Sequence, residues 1–195
     1  MRGLRRGASW ISLAVLAAVL TALTVAPAAS GAAHGLSARQ ACPTSLAFSP
    51  AAAQTKKAIL CLHNLERRRH GMSQMRLSPE LSAVALAHAR DMVKRRYFDH
   101  FSPGGKDHMD RIAASAYPPS AGCWTAGENL LDADGATTPL QILQAWMRSP
   151  EHRAIILRRG WRDLGLGVVH GSPDGNPNGL TIVALLGVRS KAVCG

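Results

Sequence analysis

Residues 164–169 read LGLGVV and residues 180–188 read LTIVALLGV, and these two stretches decide the fold class. The first alternates large residues with glycine, which is typical of a strand that packs closely against a neighbour on one face. The second is a nearly continuous apolar run, which predicts a buried strand. Residues 171–179 between them are rich in Gly, Pro, Asn and Asp and favour a turn. We therefore expect an antiparallel hairpin near the C-terminus.

Helical patterns precede this hairpin. Apolar residues recur at helical spacing over residues 53–69, and Gly71 ends that helix. Ser78 and Pro79 are typical of a helix N-cap and first turn, and the basic residues 94–96 suit the C-terminal end of the same helix. Two shorter helices are predicted over residues 108–116 and 139–147, and a third strand over 127–131. Helices followed by an antiparallel hairpin predict an α+β fold in which helices cover a small sheet.

The first residues have the pattern of a secretory signal peptide. Residues 1–9 are basic, residues 10–26 are an uncharged apolar run of 17 residues, and Ala26-Pro27-Ala28 is a cleavage-site pattern. The run is shorter than the roughly 20 residues of a membrane span, so we expect cleavage between residues 28 and 33 and no membrane-spanning segment afterwards. An uncleaved anchor is the alternative. In either case the mature chain is expected outside the cell, free or held at its surface.

The sequence also indicates domain boundaries, and its composition excludes several classes of protein. We expect a signal peptide over residues 1–28, a lead-in over 34–52, one domain over 53–190 and a tail over 191–195. With 47% hydrophobic residues, one long apolar run and four cysteines, the chain is neither disordered, nor a polytopic membrane protein, nor a disulfide-dense mini-protein.

The charge balance is basic. Beyond residue 33 the chain has 20 basic and 12 acidic side chains, a net charge of +8. This excess either favours an anionic partner or serves solubility. Nucleic acid is not expected, because the basic clusters lack interleaved aromatic residues and the chain is predicted to leave the cell.

The four cysteines all follow the predicted signal peptide. Their positions allow three pairings, and we expect Cys42–Cys61 with Cys123–Cys194 as structural disulfides. No C-x-x-C spacing occurs, so a thiolate zinc site or a redox site is not expected.

Three residues are candidates for chemistry: His100, Glu128 and His152, each beside a turn or an element end. Two imidazoles and a carboxylate can hold Zn²⁺ with an open water position, or the same groups can act as acid and base. No local motif links them. No nucleophile pattern such as G-x-S-x-G occurs, so no catalytic residue is assigned. His88 lies on an apolar helix stripe and is expected to be a hydrogen-bonded core residue.

Five motifs occur in an order that resembles one family. They are residues 63–67 (HNLER), 97–103 (YFDHFSP), 127–129 (GEN), 146–153 (WMRSPEHR) and 164–167 (LGLG). Together they resemble the CAP superfamily of cysteine-rich secretory proteins, antigen 5 and pathogenesis-related proteins, and within it the bacterial secreted SCP-domain branch. The resemblance spans about residues 53–188, nearly the whole mature chain.

The resemblance implies a three-layer α-β-α sandwich with a small central antiparallel sheet, and a cleft lined by two His and two Glu. His100, Glu128 and His152 match three of these positions, and Ser149 stands where the second acid is expected, which puts a four-residue metal site in doubt. Structural roles are expected for Asn64, Arg67, Asn129, Trp146 and Ser149, the last as a helix N-cap.

No shared reaction can be carried over from the family. The leading hypothesis is a secreted, monomeric binding protein with a cleft able to take a divalent metal and no established catalysis. Its ligand would be a small molecule, a lipid or an anionic wall polymer. No cofactor is required, and zinc or another divalent ion is an optional ligand of the cleft. One alternative is a metal-assisted extracellular hydrolase of peptide or cell-wall material. The other is a surface module that binds anionic wall polymer or lipid through its basic face.

Overall fold

The structure is a computed structural model that describes residues 37–46 and 52–190. The predicted signal peptide and the C-terminal tail therefore lie outside the described residues. The helices are α1 Ala38–Ala41, a 3₁₀ helix Pro43–Leu46, α2 Ala52–Arg69, α3 Pro79–Arg95, α4 His108–Ala113, α5 Pro139–Arg148 and α6 Pro150–Leu157. The strands are β1 Arg76–Leu77, β2 Cys123–Asp134, β3 Asp163–His170 and β4 Gly179–Ser190.

The four strands form one sheet in the order β1-β3-β4-β2. The predicted hairpin is confirmed: β3 and β4 pair antiparallel, with Leu166 opposite Ala184. The third strand, β2, pairs antiparallel with β4 and is longer than predicted, since it extends beyond residues 127–131 at both ends. The sheet also has a strand that the sequence did not predict. The two-residue β1 pairs parallel with the start of β3, so the sheet is antiparallel except at this edge.

Side-chain alternation on the sheet produces two cores. On β4, Ile182 and Leu186 pack into a core with α2, α5 and α6, whereas Val183 and Leu185 pack into a second core with α3 and α4. The sheet therefore lies between two helical layers, as the resemblance to the CAP superfamily implies, and the predicted α+β class is confirmed.

The glycines of β3 explain how α3 lies so close to the sheet. A Cβ at Gly165 would lie 2.4 Å from the backbone of Leu81, and one at Gly167 would lie 2.3 Å from the carbonyl oxygen of Ala85. Both distances are far shorter than any real contact, so only glycine permits this approach. The large residues of β3 therefore lie on one face of the sheet. Its glycines lie on the other face, where the backbone of α3 comes close.

Helix ends agree with the sequence signals in most places. Ser78 accepts a hydrogen bond from the backbone N–H of Leu81 and Pro79 is the first residue of α3. The predicted helix over 108–116 is shorter than expected and ends at Ala113. Ser149 stands at the N-cap position of α6, but its side chain makes no capping hydrogen bond.

The N-terminal lead-in is tied to the domain by a disulfide. Cys42 and Cys61 are bonded, as predicted, and this bond joins the segment after α1 to the middle of α2. The second predicted pair includes Cys194, which lies outside the described residues. No helix among the described residues is long and apolar enough to cross a membrane.

Candidate functional site

The candidate site lies at the edge of the sheet formed by β2. Glu128 stands on this strand between Ala126 and Leu130, which both belong to the core beneath α3 and α4. Strand alternation therefore directs Glu128 to the same face. Its side chain is only 1% exposed, so this carboxylate must be paired to be stable there.

His100 reaches Glu128 from the loop that follows α3. The helix ends at Arg96, which adopts a left-handed conformation with φ 58° and turns the chain. His88, buried on α3, then holds the loop, since its Nε2 lies 3.1 Å from the carbonyl oxygen of Asp99. Nδ1 of His100 donates to Oε1 of Glu128 at 2.9 Å, and the His100 side chain is 48% exposed. The buried His88 thus positions Asp99, the neighbour of His100 in the chain. His88 is the hydrogen-bonded core residue that was expected from the sequence.

Arg111 supplies the positive charge that pairs with Glu128. Its Nη2 donates to Oε1 and Oε2 of Glu128 at 3.1 and 2.9 Å, and its side chain is 12% exposed. Its Nη1 donates to the carbonyl oxygens of His100 and Lys106 at 3.0 and 2.8 Å. The guanidinium therefore links the buried carboxylate to the loop that carries His100.

Arg111 is not among the site residues predicted from the sequence. The residue lies on α4, which begins with a capping box in which Asp107 and Asp110 bond each other's backbone N–H groups. That box is a readable signal for the start of α4. Nothing in the sequence indicates that the arginine one position later points to a strand residue 17 positions further along the chain.

His152 approaches the same strand from the other helical layer. It lies on α6, whose Ile156 belongs to the core with α2 and α5. The Asn129 side chain donates to the His152 carbonyl oxygen at 3.2 Å, and the Trp146 indole donates to the Leu130 carbonyl oxygen at 2.9 Å. These bonds fix α5 and α6 against β2 next to Glu128 in the chain, and His152 is partly exposed there.

The two cleft histidines differ in their electrostatic surroundings. The hydrogen bond to Glu128 raises the pKa of His100, against a smaller opposing effect of its partial burial. Burial lowers the pKa of His152, and the positive charge of His100 lowers it further. Both effects favour the neutral form of the His152 imidazole.

Asn64 and Arg67, both on α2, make buried contacts with other parts of the chain. Asn64 exchanges two hydrogen bonds of 2.8 Å with the backbone of Met75 just before β1. Arg67 is fully buried and donates to the carbonyl oxygens of Ser73, Ile156 and Arg158. These contacts hold the chain before β1 and the end of α6 against α2.

The described residues do not fit a divalent metal in this arrangement. A metal held by all three predicted ligands would need an oxygen of Glu128, but both oxygens accept hydrogen bonds from Arg111 and one also accepts from His100. A second cation beside the guanidinium would also meet like-charge repulsion. Within the described ranges no three or more His, Cys, Asp or Glu side chains are placed to hold a metal ion. The metal site predicted from the sequence therefore stays a prediction, and the contact between Arg111 and Glu128 is an argument against it.

The arrangement can instead bind or act on an organic ligand. With Nδ1 of His100 donating to Glu128, a neutral imidazole keeps Nε2 as an acceptor. No described residue hydrogen-bonds this atom. Phe98 and Phe101, on either side of His100 in the chain, are 47% and 56% exposed, and they are the exposed large hydrophobic side chains of the described ranges. The loop therefore presents a hydrogen-bond acceptor and, at nearby positions in the chain, two exposed apolar rings.

Comparisons with known proteins agree with this fold. The first curated relative is an uncharacterized Bacillus subtilis (strain 168) protein, YkwD, 35% identical over 116 residues, which are 58% of this chain and 42% of the relative. The second is an uncharacterized membrane protein of the same organism, YlbC, 29% identical over 58% of this chain and 31% of its own length. The chain thus spans less than half the length of either curated relative.

Two solved structures share the fold. An outer surface protein of Borrelia burgdorferi superposes with a TM-score of 0.59 at 19% identity, over 70% of this chain and 94% of that one. An extracellular protein from Bacillus anthracis that contains an SCP domain superposes with a TM-score of 0.55 at 24% identity, over 72% of this chain and 44% of that one.

The family model gives the assignment. The model of the cysteine-rich secretory protein family, CAP, matches residues 60–185, which contain β1 to β3, most of β4 and every residue of the cleft. The chain therefore belongs to the CAP family.

Proposed function

We propose that this chain is an extracellular binding protein whose cleft takes a ligand rich in hydroxyl and amide groups, such as the disaccharide–peptide units of a bacterial cell wall. The observation that carries the proposal is the 2.9 Å hydrogen bond from His100 to Glu128, with Arg111 bound to the same carboxylate. Glu128 is fully engaged by protein groups, so the partly exposed imidazoles of His100 and His152 are the groups that we propose for ligand contact.

Hydroxyl and amide groups suit these imidazoles. In the neutral imidazole, Nε2 of His100 accepts a hydrogen bond from an O–H or N–H donor, and in the protonated imidazole it donates to a hydroxyl or carbonyl oxygen. The exposed rings of Phe98 and Phe101 add apolar contact area beside it, and ligand sites commonly combine apolar walls with a few placed polar groups.

An extracellular location is supported by two independent features. The first 28 residues have the pattern of a signal peptide, and a structural neighbour is an extracellular protein with an SCP domain.

The experiment is a calorimetric titration of the protein with purified disaccharide–peptide fragments of bacterial cell wall. We expect His152→Gln to weaken binding about tenfold, the effect of one lost hydrogen bond in a desolvated site. The matched control is His170→Gln, which removes an imidazole at the far end of β3 and should bind like the wild type. Equal affinities for wild type and His152→Gln, or no binding of the fragments, would contradict the proposal.

A second candidate is a hydrolase that works without metal. A carboxylate that orients an imidazole is the arrangement in which histidine activates water or a hydroxyl group, and Glu128 and His100 have it. This activity predicts cleavage of the same fragments, detected by mass spectrometry, that persists with a chelator and is lost in His100→Gln. Intact fragments after prolonged incubation would exclude it and leave the binding proposal unaffected.

A further inference from the structure

A second cavity lies at the other edge of the sheet, where β1 and β3 begin. Its volume is about 290 Å³, and three of its lining residues are arginines. The lining residues are Gln74, Met75, Arg76, Arg162, Asp163 and Arg189. None of these residues contributes to the network of His100, Glu128 and Arg111, so this cavity is separate from the cleft.

The acidic groups near this cavity are already engaged. Asp163 is 2% exposed, and it accepts hydrogen bonds from Nε of Arg76 at 2.9 Å and from the Tyr117 hydroxyl at 3.1 Å. Arg189 pairs with Glu80 at 3.1 Å. Each of these two arginines therefore has one carboxylate partner and retains further N–H donors.

Arg162 differs from the other two arginines of the cavity. Its Nη1 donates to the carbonyl oxygens of Gly160 and Trp161 at 3.2 and 3.0 Å. Among the described residues no carboxylate lies within ion-pairing distance of it. The charge of Arg162 is thus uncompensated within that part of the chain.

A fourth guanidinium adds to this excess. Arg67 is buried and bonds only backbone carbonyl oxygens, and its Nη2 has no hydrogen-bond partner among the described residues. Burial lowers the pKa of Arg67, and the charge of Arg162 lowers it further. Four guanidinium groups therefore share this end of the sheet with two carboxylates, Asp163 and Glu80. Arg76, with 76% of its side chain exposed, and Arg162, also exposed, are accessible to an anion from solvent.

We propose that the cavity between Arg76, Arg162 and Arg189 is a binding site for a phosphate group. The planar N–H fork of arginine matches the oxygens of phosphate, and converging arginines are a recurring solution for this ligand. A cavity of about 290 Å³ also holds several water-sized volumes of about 30 Å³ each, which suits a tetrahedral anion with bridging water. The phosphate comes either from free inorganic phosphate or from the phosphodiester of a polymer outside the cell.

The test is calorimetric titration of the full chain with two probes, inorganic phosphate and a synthetic glycerol-phosphate oligomer with phosphodiester links. We expect the wild type to bind, and Arg162→Gln to bind each accepted probe at least about tenfold more weakly, the effect of losing one charged hydrogen-bond donor. Tighter binding of the oligomer per phosphate assigns the site to a polymer, and equal or tighter binding of the free ion assigns it to inorganic phosphate.

Two controls keep the test specific. Arg90→Gln removes the same charge from an exposed position in the C-terminal half of α3 and should leave the affinity within about twofold of the wild type. His152→Gln should also bind phosphate normally, because the two sites are independent. Equal weakening by Arg162→Gln and Arg90→Gln would mean diffuse charge attraction and overturn the proposal, as would the absence of binding to both probes.

If Arg162→Gln does not fold, Arg162→Lys replaces it. The lysine keeps the charge but lacks the planar N–H fork, so it should weaken binding severalfold.

Discussion

Arg111 donates to both carboxylate oxygens of Glu128, at 3.1 and 2.9 Å, while the Glu128 side chain is 1% exposed. The pair explains how a strand residue can carry a carboxylate into a helix-covered face. It also bears on the metal site expected from sequence, which stays a prediction, because the guanidinium already neutralises the carboxylate that a metal would use. His100 is then the group through which this buried pair reaches solvent.

The first prediction concerns this ion pair. Arg111→Met should lower the free energy of unfolding by about 3 kcal/mol, because it leaves the buried Glu128 carboxylate without its guanidinium. Urea denaturation measures the change. The double variant Arg111→Met with Glu128→Gln should recover part of the loss, since it buries no charge. A single variant as stable as the wild type would show that Glu128 does not depend on Arg111.

The second prediction concerns pH and His63. This residue is fully buried on α2, its Nδ1 donates to the Ile59 carbonyl oxygen at 2.9 Å, and its Nε2 has no hydrogen-bond partner among the described residues. Burial lowers the pKa of His63 to about 4, whereas the unfolded chain takes up this proton near pH 6.5. Stability should therefore fall as the pH drops from about 6.5 towards 4, by up to about 3 kcal/mol from this residue.

The comparison that isolates His63 uses His63→Gln. Its amide can keep the bond to Ile59 but does not titrate, so its unfolding free energy should depend less on pH over that interval. Urea denaturation at several pH values measures both slopes. Identical slopes for the variant and the wild type would mean that His63 is not the buried neutral imidazole described above.

The third prediction concerns the approach of α3 to β3. Gly165→Ala should destabilise the protein by about 3 kcal/mol, because its Cβ would lie 2.4 Å from Leu81 and the helix would have to move. Gly104→Ala is the matched control: no atom lies within 4 Å of its Cβ position, so we expect a change below about 0.5 kcal/mol. Thermal or chemical unfolding distinguishes the two, and equal effects would contradict the close packing.

The fourth prediction concerns the disulfide of the lead-in. Cys42 and Cys61 are 19 residues apart, and closing a loop of this length restricts the unfolded chain by about 3 kcal/mol. Replacing both with serine should lower the unfolding free energy by about that amount and leave the cleft intact. A denaturation midpoint equal to that of the wild type would show that the lead-in adds nothing to stability.

Much of the fold could be predicted from the sequence, because the patterns that indicate its helices and strands are local. The alternation in Leu164-Gly165-Leu166-Gly167 predicts a strand. It also indicates the face that a helix backbone approaches, because both glycines lie on that face. The cap formed by Ser78 and Pro79 placed the start of α3 correctly. By contrast, β1 has two residues, too few for any periodicity, and its pairing with β3 depends on contacts between segments distant in the chain.

The candidate site was readable only in part. The family motifs led to His100, Glu128 and His152, and the structure brings His100 and Glu128 into contact. Arg111 was not predicted, because its contact with Glu128 depends on how the loop after α3 folds back over β2. Arg111 alters the chemistry expected of the cleft because it neutralises the Glu128 carboxylate. The family motifs alone do not include this arginine.

The most direct test of the proposed cleft is nuclear magnetic resonance of protein labelled with ¹⁵N-histidine, titrated with disaccharide–peptide fragments of bacterial cell wall. The buried His63 and His170, at the end of β3, are internal references. We predict that the ring nitrogens of His100 and His152 shift with added fragment while those of His63 and His170 do not. If the fragments move neither His100 nor His152, or if all four histidines shift alike, the cleft does not bind this class of ligand.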